Sequence, residues 1–201
     1  MTFPGTKRGP IATDAFDKVE VASVEELDAW LEENHERDDS VWLITHKKHV
    51  TDRYIAMPQV LDALMRHGWV DGIRRKLDAD RSMQLIGKRR QQMWAKTYKD
   101  RVARLAQAGL MRPWGIAGVE RAKQEGTWDA MADVDALNVP DDLRAALDPT
   151  RSAGPMFDAC PPSYRRNVLR WLALARTAET RAKRIAAITA ACSEGRRIPQ
   201  M

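Results

Sequence analysis

From Trp94 to the C-terminus no segment alternates apolar and polar residues in the manner of a half-buried strand, while helix stop signals recur. That asymmetry confines β-structure to the N-terminal half and commits the remainder to helices. Helices are expected over about 95–108, closed by Gly109, over 113–125, closed by Gly126, and over 140–147, closed by Pro149. Ser163 opens a further helix with an apolar stripe of Val168, Leu169, Trp171, Leu172 and Ala175. Thr177 caps the last one, whose stripe is Ala182, Ile185, Ala186, Thr189 and Cys192. Gly195, Arg196 and Pro199 end it. Residues 127–161, rich in Asp and Pro, read as a weakly patterned connection.

The N-terminal half has other signals. Residues 1–22 show no sustained period and read as a flexible tail holding at most one short strand. Ser23-Val24-Glu25-Glu26 is a capping box, with Leu27, Trp30 and Leu31 forming an apolar face behind it, so a helix is expected to about Asn34. The run 41–46 is apolar, β-branched and too short for a helix, which makes it a buried strand. Pro58 suits a helix start, Val60, Leu61, Leu64 and Met65 follow at helical spacing, and Gly68 supplies the stop. Residues 69–75 and 83–86 read as two strands joined through 77–81, with Gly72 placed to permit a bulge. The predicted fold class is α+β: a small antiparallel sheet with flanking helices, then an all-helical C-terminal half. The predicted organisation is a tail over 1–22, an α+β lobe over 23–93 and a helical lobe over 94–201, packed as one compact unit.

Charge is segregated. Residues 66–101 and 165–197 each carry +7, so the rest of the chain carries −9 against a net charge of +5. Such clustering suits an anionic partner, although basic residues equally serve to solvate helix faces. Neither cysteine, Cys160 or Cys192, has a second thiol at metal or redox spacing, and no run approaches the roughly 20 apolar residues of a membrane span. A cytoplasmic protein with reduced thiols is the expectation, as a monomer or a homodimer.

The densest group of chemistry-bearing residues is Trp69, Asp71 and Gly72 with Lys76, Asp78, Arg81, Lys88, Arg89, Arg90, Trp94 and Lys96, and Tyr98 follows close behind. Guanidinium forks beside indole faces suit a planar or anionic ligand, whereas a structural reading makes Trp69 and Trp94 core anchors. Were there chemistry, Asp71 and His67 would be the pair to carry it, since Arg66 disfavours protonation of His67 and leaves an imidazole able to accept a proton. His35, His46, His49 and His67 lack the spacing of a helical metal site. No phosphate-binding loop, dinucleotide fingerprint or Ser-His-Asp order is present, so the residues specify no cofactor and leave enzymatic activity open. The arginines of 165–184 could contact phosphates, but without a stacking platform or recognition-helix turn nucleic-acid binding is disfavoured.

Several of these pieces occur together in a known family. The 68–72 run Gly-Trp-Val-Asp-Gly, the tract 101–118, and the C-terminal Arg170-Trp171 followed by Glu179-Thr180-Arg181 and Ile185 resemble the YdeI/OmpD-associated bacteriocin-protection family over about 24–197. Arg66-His67 before Gly68, Ile86-Gly87-Lys88 before Trp94, and Tyr98 depart from the family pattern around one expected cleft. The resemblance implies a cytoplasmic bacterial protein linked to protection against bacteriocins or envelope stress, and it brings no reaction, cofactor or catalytic residue with it. The basic cleft adds the expectation of a bound protein or small-molecule partner. A small divergent enzyme using the same cleft is the alternative.

Overall fold

The computed structural model describes residues 13–90, 93–147 and 153–198. The expected stops at Pro149 and Pro199, and the tail as far as residue 12, lie outside the described residues. Contacts divide the chain into two compact units, Met1–Gln91 with Arg101–Arg121, and Gln92–Asp100 with Ala122–Met201.

The first unit is built on a four-stranded sheet of order β1-β2-β4-β3, with β1 at Lys18–Glu20, β2 at Val41–His46, β3 at Trp69–Lys76 and β4 at Arg81–Lys88. β2, β4 and β3 pair antiparallel, whereas β1 pairs parallel to β2 with Val19 opposite Leu43. The sheet is therefore mixed and not wholly antiparallel. Its fourth strand comes from a segment whose three residues are too few to register as a period. All six residues of β2 are buried. Val41 and Leu43 join Leu27, Leu31, Val60, Leu64, Trp69 and Ile86 in one core, while Trp42 and Ile44 pack with Met83 in a second cluster. Strand alternation explains the split, since successive side chains leave opposite faces.

β3 advances from Asp71 to Arg74 while β4 advances only from Ile86 to Gln84, which is the bulge expected at Gly72. The first core is closed by α1 (Val24–Glu33) and α2 (Met57–Arg66). The capping box forms as the sequence implies: Ser23 accepts from the Glu26 amide at 3.1 Å and Glu26 accepts from the Ala22 amide at 2.7 Å.

Two helices, α3 (Lys96–Gln107) and α4 (Pro113–Gln124), run through the unit boundaries. The second unit continues with α5 (Ala132–Asp135), α6 (Asp141–Leu147), α7 (Ala153–Asp158), α8 (Pro162–Ala173) and α9 (Ala178–Ser193). Two of these, α5 and α7, lie where the sequence suggests only a connection, being too short for periodicity to declare them. Their core gathers Val134, Leu143, Leu147, Phe157, Val168, Leu172 and Ile188.

α8 buries Val168, Leu169 and Leu172 as expected and differs in its start and in the depth of Trp171, whereas α9 differs in its phase. α8 starts at Pro162 behind Pro161, and Trp171 on it is half-buried, with Arg184 over its ring at 5.0 Å, while Val168 and Leu172 are fully buried. In α9 the buried face is Ile188, Ala191 and Cys192, while Ala182 and Ala186 are exposed. An alanine-rich helix has little contrast between faces, so its sequence fixes the phase poorly.

Candidate functional site

In the sheet unit α2 ends at Gly68, whose φ of +72° turns the chain sharply into β3. This corner is pressed against the start of α4: a Cβ on Gly115 would sit 2.1 Å from the Arg66 carbonyl oxygen, and that oxygen accepts the Arg112 amide at 3.0 Å. The Gly68 carbonyl in turn accepts the Arg89 amide at 2.9 Å, fixing the chain where it leaves β4. These close approaches frame a cavity of about 370 Å³. One wall is the face of α4 bearing Trp114, Ala117, Gly118 and Arg121, at the i, i+3, i+4, i+7 spacing of a single helix face. Opposite it are Lys88, Arg89 and Arg90, with His35 and Asp38 from the loop after α1 completing the rim.

Four cations thus meet one carboxylate. Asp38 lies 3.5 Å from Lys88 and 3.4 Å from Arg90, but its side chain is 76% exposed, so these pairs are weakened by solvent. Arg89 is buried at 6% exposure, where a guanidinium acts in a lower dielectric than at the surface. His35 stacks on Trp114 with ring centroids 4.0 Å apart and donates from Nδ1 to the Glu32 carbonyl at 2.7 Å.

His67 lies beneath this wall with its side chain fully buried. The Trp114 indole N–H, a donor only, reaches His67 Nδ1 at 3.1 Å, so the ring proton sits on Nε2 and is donated to Asp28 Oδ1 at 3.0 Å. Desolvation by burial is the largest influence and lowers the imidazole pKa; Arg112 also lowers it, while the hydrogen bond and charge of Asp28 and the charge of Glu32 raise it. Arg66, the neighbour singled out in the sequence, instead pairs with Asp28 at 3.0 Å. The neutral imidazole is thereby committed at both nitrogens and serves to fix Trp114.

Of the residues anticipated from sequence, His67, Lys88, Arg89 and Arg90 come together around the cavity. Asp71 is not in the lining; it accepts from Gln84 Nε2 at 3.2 Å on β3. Trp69 is fully buried and packs edge-on against Trp30 at 5.6 Å, the core-anchor alternative. Lys76 and Arg81 stand at the far end of the β3–β4 hairpin, where Arg81 binds Glu20 at 2.6 Å and Asp78 at 2.8 Å. Trp94, Lys96 and Tyr98 belong to the helical unit: Trp94 is buried against Trp128 at 4.9 Å, and Lys96 pairs with Asp100 at 2.7 Å. Sequence reading passed over Trp114, Ala117, Gly118 and Arg121. The signal was there, as one helix face that mixes an indole, two small residues and an arginine, too polar for core and too apolar for a solvated surface.

Among the described residues no helix is long and apolar enough to cross a membrane. Residues 19–118 match a family model described as a domain of unknown function (DUF8412), and the cavity lies in that segment apart from Arg121. No curated protein and no solved structure matches the chain. The specific pieces at 68–72 and 101–118 therefore fall in a different family segment from the one they suggested. Residues 136–195 match the model described as Bacteriocin-protection, YdeI or OmpD-Associated, so the family resemblance read from the sequence is supported and resides in the C-terminal helices.

Proposed function

We propose that this is a bacteriocin-protection-type protein that acts by binding a small anionic ligand in the cavity of its sheet unit. The observation that carries the reading is the convergence of Lys88, Arg89, Arg90 and Arg121 on a cavity of about 370 Å³ whose lining includes a single carboxylate. That size lies within the roughly 300–1,000 Å³ of small-molecule pockets. The C-terminal match supports the protective role at family level, and the cavity supplies the binding step. Binding is favoured over catalysis because both nitrogens of His67 are engaged and Asp71 stands outside the lining, leaving the anticipated acid–base pair without a shared reaction space. The cytoplasm is the compartment this reading assigns, where free buried thiols such as Cys160 and Cys192 stay reduced.

Nucleic acid is a poorer fit, since cations of the 165–197 window are engaged within the helical unit, Arg181 with Asp142 at 2.6 Å and Arg165 with Asp158 at 3.6 Å. A thermal-shift series with small anions on the wild type and on Arg89→Met and Arg121→Gln tests the reading. A ligand at 100 times its Kd adds about 2.7 kcal/mol to stability, so a binder is plainly visible in the wild type and loses that shift in both variants. Stabilisation that is absent from the wild type, or that survives both substitutions, refutes the cavity as the site.

A further inference from the structure

The helix that walls the cavity holds two glycines with opposite reasons for being there. At Gly115 a side chain would strike the Arg66 carbonyl, so the fold itself demands glycine. At Gly118 a Cβ would meet nothing within 4 Å, and the residue is not among those with positive φ. Neither packing nor backbone conformation among the described residues requires a glycine there, although glycine inside a helix is less stable than alanine. Gly118 lies beside Ala117 on the cavity wall, between Trp114 and Arg121. The small residues open a strip of helix backbone to whatever fills the cavity.

We infer that the ligand of this cavity, taken as the anion site proposed above, is an aromatic oxyanion whose flat body lies against α4 at Ala117 and Gly118, with its acid group held by Lys88, Arg89 and Arg90. Size supports an organic body: a water occupies about 30 Å³, so a bare inorganic anion would leave most of the 370 Å³ wet. Chemistry supports a flat one. An exposed backbone strip shares the cavity with guanidinium groups, and planar guanidinium groups favour π-systems over saturated chains, while Trp114 is already stacked on His35. Gly118 then acts as a specificity determinant, because any side chain there would project into the space the body occupies.

Isothermal titration of the full chain with phenyl phosphate, benzoate and inorganic phosphate, on the wild type and Gly118→Leu, decides the matter. The aromatic probe of the right acid type binds the wild type at least about tenfold more tightly than inorganic phosphate, and the better of phenyl phosphate and benzoate identifies that acid. In Gly118→Leu its affinity falls at least about tenfold, whereas inorganic phosphate changes by less than about twofold. A circular-dichroism melt confirms that the variant folds, with Gly118→Ala as the milder substitution if leucine disturbs it. Equal affinity for aromatic and inorganic probes, or aromatic binding that ignores the substitution, overturns the inference while leaving an anion site. Absence of binding by all three probes overturns the site and the inference together.

Discussion

The sheet unit holds most of one basic window and the helical unit all of the other, yet their cations are placed differently. In the helical unit the acids of 129–158 absorb them: Arg181 makes a two-pronged bond to Asp142, Arg166 faces Asp135 at 3.9 Å, and Arg144 and Arg165 share Asp158. Arg184 and Arg197 lie over the rings of Trp171 and Tyr164. In the sheet unit Arg101 and Arg104 likewise share Asp62, but Lys88, Arg89, Arg90 and Arg121 gather around a cavity whose lining holds one carboxylate, Asp38. Linear charge density thus says little about binding. What matters is whether the fold brings acids to the same place.

The sharpest way to break this contrast begins with the helical core. Leu172→Ala, at a fully buried position, should lose about 2–5 kcal/mol in denaturant unfolding through lost transfer energy and the cavity left behind. Half-buried Trp171 should lose less on truncation than the roughly 3–5 kcal/mol of a buried tryptophan; an equal loss would mean that its contact with Arg184 holds the helices together.

His67 comes next. Its pKa is lowered in the folded state, so below the ordinary value of 6.5 the unfolded chain binds a proton that the native chain refuses. Stability is therefore complete above pH 6.5 and declines as the pH falls beneath it, by at most about 1.4 kcal/mol per pH unit from this group. His67→Gln should flatten that slope between pH 6.5 and the carboxylate range, as chemical denaturation across pH would reveal.

Gly118→Ala should stabilise the sheet unit by about 0.5–1 kcal/mol, where Gly115→Ala should destabilise it by forcing α4 off the Arg66 carbonyl. Smallest is the Arg181 pair. With Asp142 44% exposed, Asp142→Ala should cost about 0.2–1 kcal/mol and leave anion binding intact, while Arg121→Gln should weaken anion binding and leave the melting temperature unchanged. Were the two outcomes exchanged, the contrast between cations paired inside the helical unit and cations lining the cavity would be wrong.

The fold was largely legible because its signals are local. The capping box at Ser23, the apolar run of β2, the stop at Gly68 and the bulge near Gly72 each act within a few residues. Illegible features depend on distant partners or on low contrast. β1 is a strand only because β2 offers it a parallel edge, and the phase of α9 is set by the core around Ile188 and not by its own alanines. The site shows the same limit. Lys88 and Arg89 were conspicuous in a basic loop, but their counterparts on α4 stand more than twenty positions along the chain and only tertiary structure sets Trp114 and Arg121 opposite them. Trp69 misled for the converse reason, since an indole in a turn-rich run looks available until its burial is known.

β3 closes one side of the sheet, and from Gly72 to Lys76 its residues are exposed. A bare strand edge is a template on which another chain can add itself, the first step of fibril growth. Here Arg74, Arg75 and Lys76 stand in succession on that edge, beside a bulge that interrupts its regularity. Charge repulsion between like edges makes such stacking unfavourable. Replacing those three cations with threonine should therefore raise self-polymerisation, read as thioflavin-positive aggregates that the unaltered chain forms more slowly.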